Sequence, residues 1–245
     1  MRGRVFGDTT VLMLKYAGKA GENMKKFPVV WITFILLFSC QNEINEIVGE
    51  DPDLVITSGS EMALWIQRAT ANDGTSDDFL DMYSCGTVKL PVAITLNGAV
   101  RMINNEADKD FVRRIAENLE TPLTLQVPFT VVSREYTENT VRSAEEFDML
   151  KAMCTDSPDS RINCVQFRYP VEMFTYNANN QSNGSVTINA DQDFYEFINQ
   201  IGNLRTSIHY PVIVMYATGE EIEVSTNSEL IAAVKNGRAI CSLGS

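Results

Sequence analysis

Apolar and polar residues begin to alternate four times along the chain, each time at a proline: Leu90-Pro91-Val92, Val127-Pro128-Phe129, Tyr169-Pro170-Val171 and Tyr210-Pro211-Val212. A period of two predicts strands with one buried face. In unit one, Val92, Ile94 and Leu96 alternate before Asn97-Gly98, a hairpin signal, and residues 100–103 return as a second strand. The period then lengthens to that of an amphipathic helix over 105–118. Unit two repeats this with Phe129 and Val131, a return strand at 140–142 and a helix over 144–153. Unit three has a longer tip at 177–184, a return at 185–188 and a helix carrying Phe194, Phe197, Ile198 and Ile201. Unit four has Val212, Val214 and Tyr216, a turn at Thr218-Gly219, a return at 222–224 and a helix with Leu230, Ile231 and Val234.

The units align most closely where the hairpin ends. Val141 is followed by Ser143, Glu146 and Phe147, and Val224, at the same spacing, by Thr226, Glu229 and Leu230. Ile188, Ala190, Asp193 and Phe194 keep that register, while unit one reads as two residues longer there. Ser143 with Glu146, and Thr226 with Glu229, have the form of a capping box, in which a hydroxyl and a carboxylate satisfy free N–H groups at a helix start. Four such matches imply internal duplication. One hairpin and one helix bury too little to stand alone. The expected fold is therefore α+β, with four ββα repeats pairing into two ββαββα domains. Each domain would be a mostly antiparallel four-stranded sheet with two helices on one face, the first over 85–154 and the second over 164–241.

Ahead of the repeats, Lys25 and Lys26 precede an apolar run from Phe27 to Phe38, too short to span a bilayer comfortably. It reads as a secretory signal over 24–39, with 1–23 a start-site artefact or an extended n-region. The run ends in Leu37-Phe38-Ser39-Cys40, the form of a bacterial lipoprotein signal box, so Cys40 is the expected lipidation site. Residues 40–57 read as an acidic tether. The segment 58–84 should hold a short helix, capped by Ser58 and Glu61, with an apolar stripe of Met62, Trp65, Ile66 and Ala69, and then an acidic, solvated turn from Asn72 to Asp78. The order of residues in that turn does not match a calcium loop.

Of the remaining cysteines, Cys85 and Cys164 each precede the first proline of a pair of units by six residues, and Cys154 and Cys241 each close a second helix. This symmetry predicts disulfides Cys85–Cys154 and Cys164–Cys241 in an oxidising compartment. Neither a Cys-x-x-Cys spacing nor clustered histidine suggests a metal, and no cofactor is implied.

Charge narrows the partners. The chain carries 32 acidic against 20 basic residues, and six of the basic ones lie within 1–39. Such a surface repels nucleic acid and anionic headgroups, so acyl chains at Cys40 would hold the protein to a membrane. His209 is the one histidine, with no Gly-x-Ser-x-Gly elbow and no phosphate loop to accompany it. Glu145-Glu146 and Glu220-Glu221 fall at helix starts or turns, where carboxylates are expected. Tyr169, Tyr176, Tyr210 and Tyr216 lie in the opening strands of units three and four, and are candidate ligand-binding residues if they face outward from an open sheet.

The signal box, the acidic tether, the helix followed by Asn72-Asp73-Gly74 and the Cys-bounded Tyr-Pro-Val units resemble uncharacterised lipoproteins of the Bacteroidota, particularly flavobacteria. The resemblance covers residues 24–245 and implies a place in the outer membrane, surface-exposed or facing the periplasm. It carries no activity. The expected function is that of a non-enzymatic, lipid-anchored envelope module for a protein or glycan partner. The alternatives are a periplasmic inhibitor-like or assembly protein, and a glycan hydrolase using paired carboxylates.

Overall fold

The computed structural model describes residues 54–119, 123–154 and 162–243, the side chains at 118–119 and 241–243 excepted. Cys40, the signal segment and most of the tether lie outside the described residues. The fold is mixed α+β, built on four small antiparallel sheets of three strands each. The first half of the repeat region contains β1 (Gly86–Val88), β2 (Val92–Leu96), β3 (Ala99–Ile103), β4 (Leu123–Leu125), β5 (Phe129–Ser133) and β6 (Glu138–Val141). The second contains β7 (Val165–Phe167), β8 (Val171–Tyr176), β9 (Ser182–Ile188), β10 (Arg205–Ile208), β11 (Val212–Tyr216) and β12 (Glu221–Val224). Helix α1 (Glu61–Thr70), a 3-10 turn (Gly74–Asp77) and the one-turn α2 (Asp78–Asp81) precede the strands. Helices α3 (Glu106–Leu119), α4 (Ala144–Met153), α5 (Asp191–Gln200) and α6 (Asn227–Leu243) each follow one hairpin.

The expected four-stranded sheets are replaced by three-stranded ones, because each unit carries a third strand ahead of its proline. The residues before the proline make a short strand of their own, and it pairs with the neighbouring unit. Thus β1 lies against β5 and β4 against β2, while β7 lies against β11 and β10 against β8. A proline has no N–H to give a ladder, so it is a natural break between two strands. All four X-Pro bonds at these breaks are cis. The exchange is equivalent in every unit: the N–H two residues before each proline donates to the carbonyl two residues after the proline of the partner unit. These bonds run from Lys89 to Thr130 (2.8 Å), Gln126 to Ala93 (2.9 Å), Arg168 to Ile213 (2.9 Å) and His209 to Glu172 (2.8 Å).

Helix starts are equally regular. Asn105, Ser143, Ala190 and Thr226 occupy the cap position, and the carbonyl of each accepts the N–H four residues on. Asp108, Glu146, Asp193 and Glu229 fold back to accept the N–H just before the cap, from Asn104, Arg142, Asn189 and Ser225. Unit one is therefore not two residues longer. Its register is hidden because the position that holds Phe147, Phe194 and Leu230 elsewhere holds Lys109, which is nonetheless buried at 8% exposure. In α1 the cap is Ser60, whose hydroxyl accepts from the Ala63 N–H at 3.3 Å, so Ser58 does not serve.

Two apolar clusters result. One joins Val171, Met173, Phe194, Val214, Leu230 and their neighbours with Ile56, Met62, Ala63, Ile66 and Ala69, so α1 packs on the second half. Ile56 also bridges to Thr206 on the outer edge of β10. The other joins Val92, Ile94, Ile103, Val131 and Phe147 with Leu80 and Tyr83. Both clusters lie in one compact unit, Asn45–Ser245. Where the halves meet, Tyr136 stacks near Tyr195 at 5.6 Å and its hydroxyl donates to the Thr70 carbonyl at 2.8 Å.

Candidate functional site

Side chains two residues before each proline reach across the exchange as their backbones do. Lys89 Nζ meets Glu138 Oε1 at 2.6 Å, and Gln126 Nε2 donates to Thr95 Oγ1 at 2.8 Å. In the second half Arg168 pairs with Glu221, and His209 Nδ1 lies 3.0 Å from Glu172 Oε2. There the two prolines, Pro170 and Pro211, flank a groove of about 520 Å³ whose polar lining is Arg168, Glu172, Thr187 and His209.

Its chemistry is set by Glu172. The Ser185 hydroxyl and the His209 ring both bind this carboxylate, and in that order they hold its pKa below the usual value. The sequence of contacts is Ser185, Glu172, His209, with the carboxylate in the middle. A hydroxyl nucleophile needs the imidazole in that place, to take its proton. The Phe174 ring lies tilted beside the His209 ring, with centroids 5.0 Å apart. Arg168 and Glu221 offset each other, so the groove offers paired charges and an apolar floor of proline, valine and isoleucine. That combination can hold an amide or a hydroxylated ligand through hydrogen bonds.

The four candidate tyrosines are engaged inward. Tyr176 and Tyr216 are buried, the first with its hydroxyl 3.4 Å from Ser207 Oγ and the second donating to the Ala233 carbonyl at 2.8 Å. Tyr169 donates to Asp191 at the start of α5, and Tyr210 donates to Asn227 Oδ1 at the start of α6 at 2.6 Å. Burial pushes both phenols well above their ordinary pKa, with the Asp191 carboxylate adding to the effect on Tyr169. These hydroxyls tie strands to helices. Only Tyr169 also borders the groove.

Glu145 and Glu146 stand in the first turn of α4, as expected of exposed acids at a helix start, and Glu221 is committed to Arg168. Cys85 and Cys154 are joined with a Cα–Cα distance of 5.7 Å. Cys164 is disulfide-bonded, and the side chain of Cys241, the partner expected for it, lies outside the described residues.

A second cluster escaped the sequence reading, because a run of aspartates reads as solvated. The segment from Asn72 to Ser84 is instead folded against the first half. Asp77 is 0% exposed, and its Oδ2 accepts the Val88 N–H at 2.7 Å. Asp81 is 4% exposed, and its Oδ1 accepts the Tyr83 N–H at 3.0 Å. The other oxygens, Asp77 Oδ1 and Asp81 Oδ2, are buried with no hydrogen-bond partner. Burial pushes Asp77 up to about 6, against the opposing pull of the Val88 N–H and of Lys109. Burial, reinforced by the Asp77 charge, pushes Asp81 up to about 8. The one sequence signal for this cluster was Lys109, a cation standing where the other units place phenylalanine or leucine.

Among the described residues no three His, Cys, Asp or Glu side chains are grouped to hold a metal ion, and no helix is long and apolar enough to cross a membrane. No protein-family model matches the chain, and neither a curated protein nor a solved structure is significantly similar to it.

Proposed function

We propose that this chain is a lipid-anchored protein of the bacterial envelope, acylated at Cys40, that works as a non-enzymatic binding module for a protein or glycan. The observation that carries the non-enzymatic part of this reading is the order Ser185, Glu172, His209 at the edge of the groove. Glu172 engages His209 Nδ1 as a triad acid would, but the Ser185 hydroxyl binds that carboxylate and not the imidazole, so the pair lacks the serine-to-imidazole contact a triad needs. A glycan hydrolase would need two carboxyls free to face one cleft. Here Glu172 is committed to Ser185 and His209, and Glu221 to Arg168. We read each pair of exchanged units, 85–154 and 164–241, as one module, stapled by Cys85–Cys154 and Cys164–Cys241. The inhibitor-like or assembly reading keeps the same groove and places it in the periplasm.

Protease shaving of intact cells, blotted beside a periplasmic control, separates these two. Loss of the protein while the control survives is the result expected of a surface module on the outer membrane. Protection until the outer membrane is broken would exclude the surface location and leave the periplasmic partner. Replacing Cys40 by alanine should release the protein from the membrane fraction, and retention of that variant would sink the lipid anchor.

A further inference from the structure

We propose that residues 73–84 form a proton-held strap, which closes over the outer edge of β1 while Asp77 and Asp81 hold protons between them and loosens as the second of the two ionises. Its ends are fixed. Asn72 Nδ2 donates to Thr87 Oγ1 at 3.0 Å and to the Val132 carbonyl at 2.9 Å, and Cys85 is held by its disulfide to Cys154. Opening is therefore local, and the strap returns to the same place.

The closed strap makes three contacts that opening would break. Asp77 Oδ2 caps the Val88 N–H at the outer edge of β1, a donor that would otherwise face solvent or another strand. Leu80 and Tyr83 complete the first-half core, with the Tyr83 ring 5.8 Å from Phe147 in an edge contact. Gly74 lies so close to Gly86 that an added Cβ would come within 2.5 Å of the Gly86 nitrogen.

The charges around the pair are few and unequal. Asp77 faces Asp78 from the strap and Lys109 from α3, and Lys109 is also paired with Glu106 at 2.5 Å. Asp81 faces Asp77 and Asp78 from the strap, and Lys151 from α4, itself 3.5 Å from Asp148. Near Tyr83, Glu135 and Arg134 from the β5–β6 turn oppose each other. Two buried oxygens thus lack partners, and the two cations that face the pair, Lys109 and Lys151, are each already paired with an exposed carboxylate, Glu106 and Asp148. A buried carboxylate without its counter-charge takes a proton.

The sign follows from linkage. Both aspartates bind protons more tightly in the closed strap than in an open, solvated one, where an aspartate titrates near 3.9. Closing therefore takes up protons, and the closed state weakens as pH rises. Asp77 contributes up to about 6 and Asp81 up to about 8, and above that the dependence levels off. Between these two values one proton is linked to closing, so the open fraction rises by up to about tenfold per pH unit.

Hydrogen exchange of the intact protein from pH 5.5 to 9, corrected for intrinsic rates and read on peptides spanning 73–88, tests this. Opening should rise steeply from pH 6 to 8 and then flatten, with peptides from β8 and β11 unchanged. Asp81→Asn should remove the rise between pH 6 and 8. Because that variant could fail to fold, carboxyl carbon NMR of the unaltered protein gives an independent reading, with Asp81 titrating above pH 7. Strap opening that ignores pH, or both carboxyls titrating below 5, would overturn the proposal. So would restoration of protection at pH 9 by millimolar calcium alone, since the cluster would then be a cation site.

Discussion

The two halves of the molecule use one plan and finish it differently. In each, short strands before the prolines are exchanged between neighbouring units, so neither unit is complete without the other. The second half is then covered by α1, whose Met62, Ala63, Ile66 and Ala69 enter its core. The first half receives no such helix. It is covered by the aspartate-rich strap, which brings Leu80 and Tyr83 but also two carboxylates, and where Phe194 and Leu230 fill the second core it carries Lys109. The same backbone scaffold therefore supports a dry core on one side and an ionisable one on the other. The frame is common to both halves, and the covering elements set the chemistry.

Perturbing matched positions should expose this asymmetry. The largest effect is expected from Phe194→Ala, because the ring is 0% exposed and meets Phe167 at 5.1 Å. A loss of about 3–5 kcal/mol is the usual cost of such a truncation, measurable by denaturant unfolding, and it should not depend on pH. Removing the Cys85–Cys154 staple by a double change to serine should cost the first half about 4 kcal/mol on the chain-entropy model, since the two residues are 69 apart. Loss of the second-half signal alone in that variant would contradict the assignment of the staple.

Lys109→Leu restores the residue type of the other units, and its effect should change with pH. Near pH 5, below the values of Asp77 and Asp81, the variant should match the unaltered protein within about 1 kcal/mol, as expected when a buried ion gives way to an apolar residue. Above pH 7 it should be destabilised by at least that amount, since Asp77 loses the cation that faces it. Equal stability at pH 5 and pH 9 would refute a charged first-half core. The smallest effect is at the helix starts. Ala190 is the only one of the four cap residues without a side-chain oxygen, and Ala190→Ser should stabilise α5 by about 0.5–1 kcal/mol.

Much of this frame was legible in the chain because it is local. The Asn97-Gly98 turn, the Ser143 and Thr226 caps and the period change from strand to helix are each encoded within a few residues, and each appears in the structure. What could not be read was long-range. Three residues such as Gly86, Thr87 and Val88 carry no mark of which sheet they will join, since β1 finds its partner at residues 131–133. Lys109 concealed the register of unit one because hydropathy treats a buried lysine as an exposed one. Asp77 and Asp81 were hidden for the same reason, their burial depending on partners contributed by β1, α3 and α4. In the candidate groove, the prolines and His209 stood out as residues, but the carboxylate-centred order of Ser185, Glu172 and His209 requires β9, β8 and β10 to be side by side.

Site-resolved hydrogen exchange on the intact protein at pH 6 and pH 9 bears on the common frame and the unequal covers at once. The crossover amides of Lys89, Gln126, Arg168 and His209 should exchange only through global unfolding at both values, while Tyr83 and Val88 should be protected at pH 6 and exposed by local opening at pH 9. Crossover amides that exchange locally, or Tyr83 and Val88 equally protected at both values, would contradict the account.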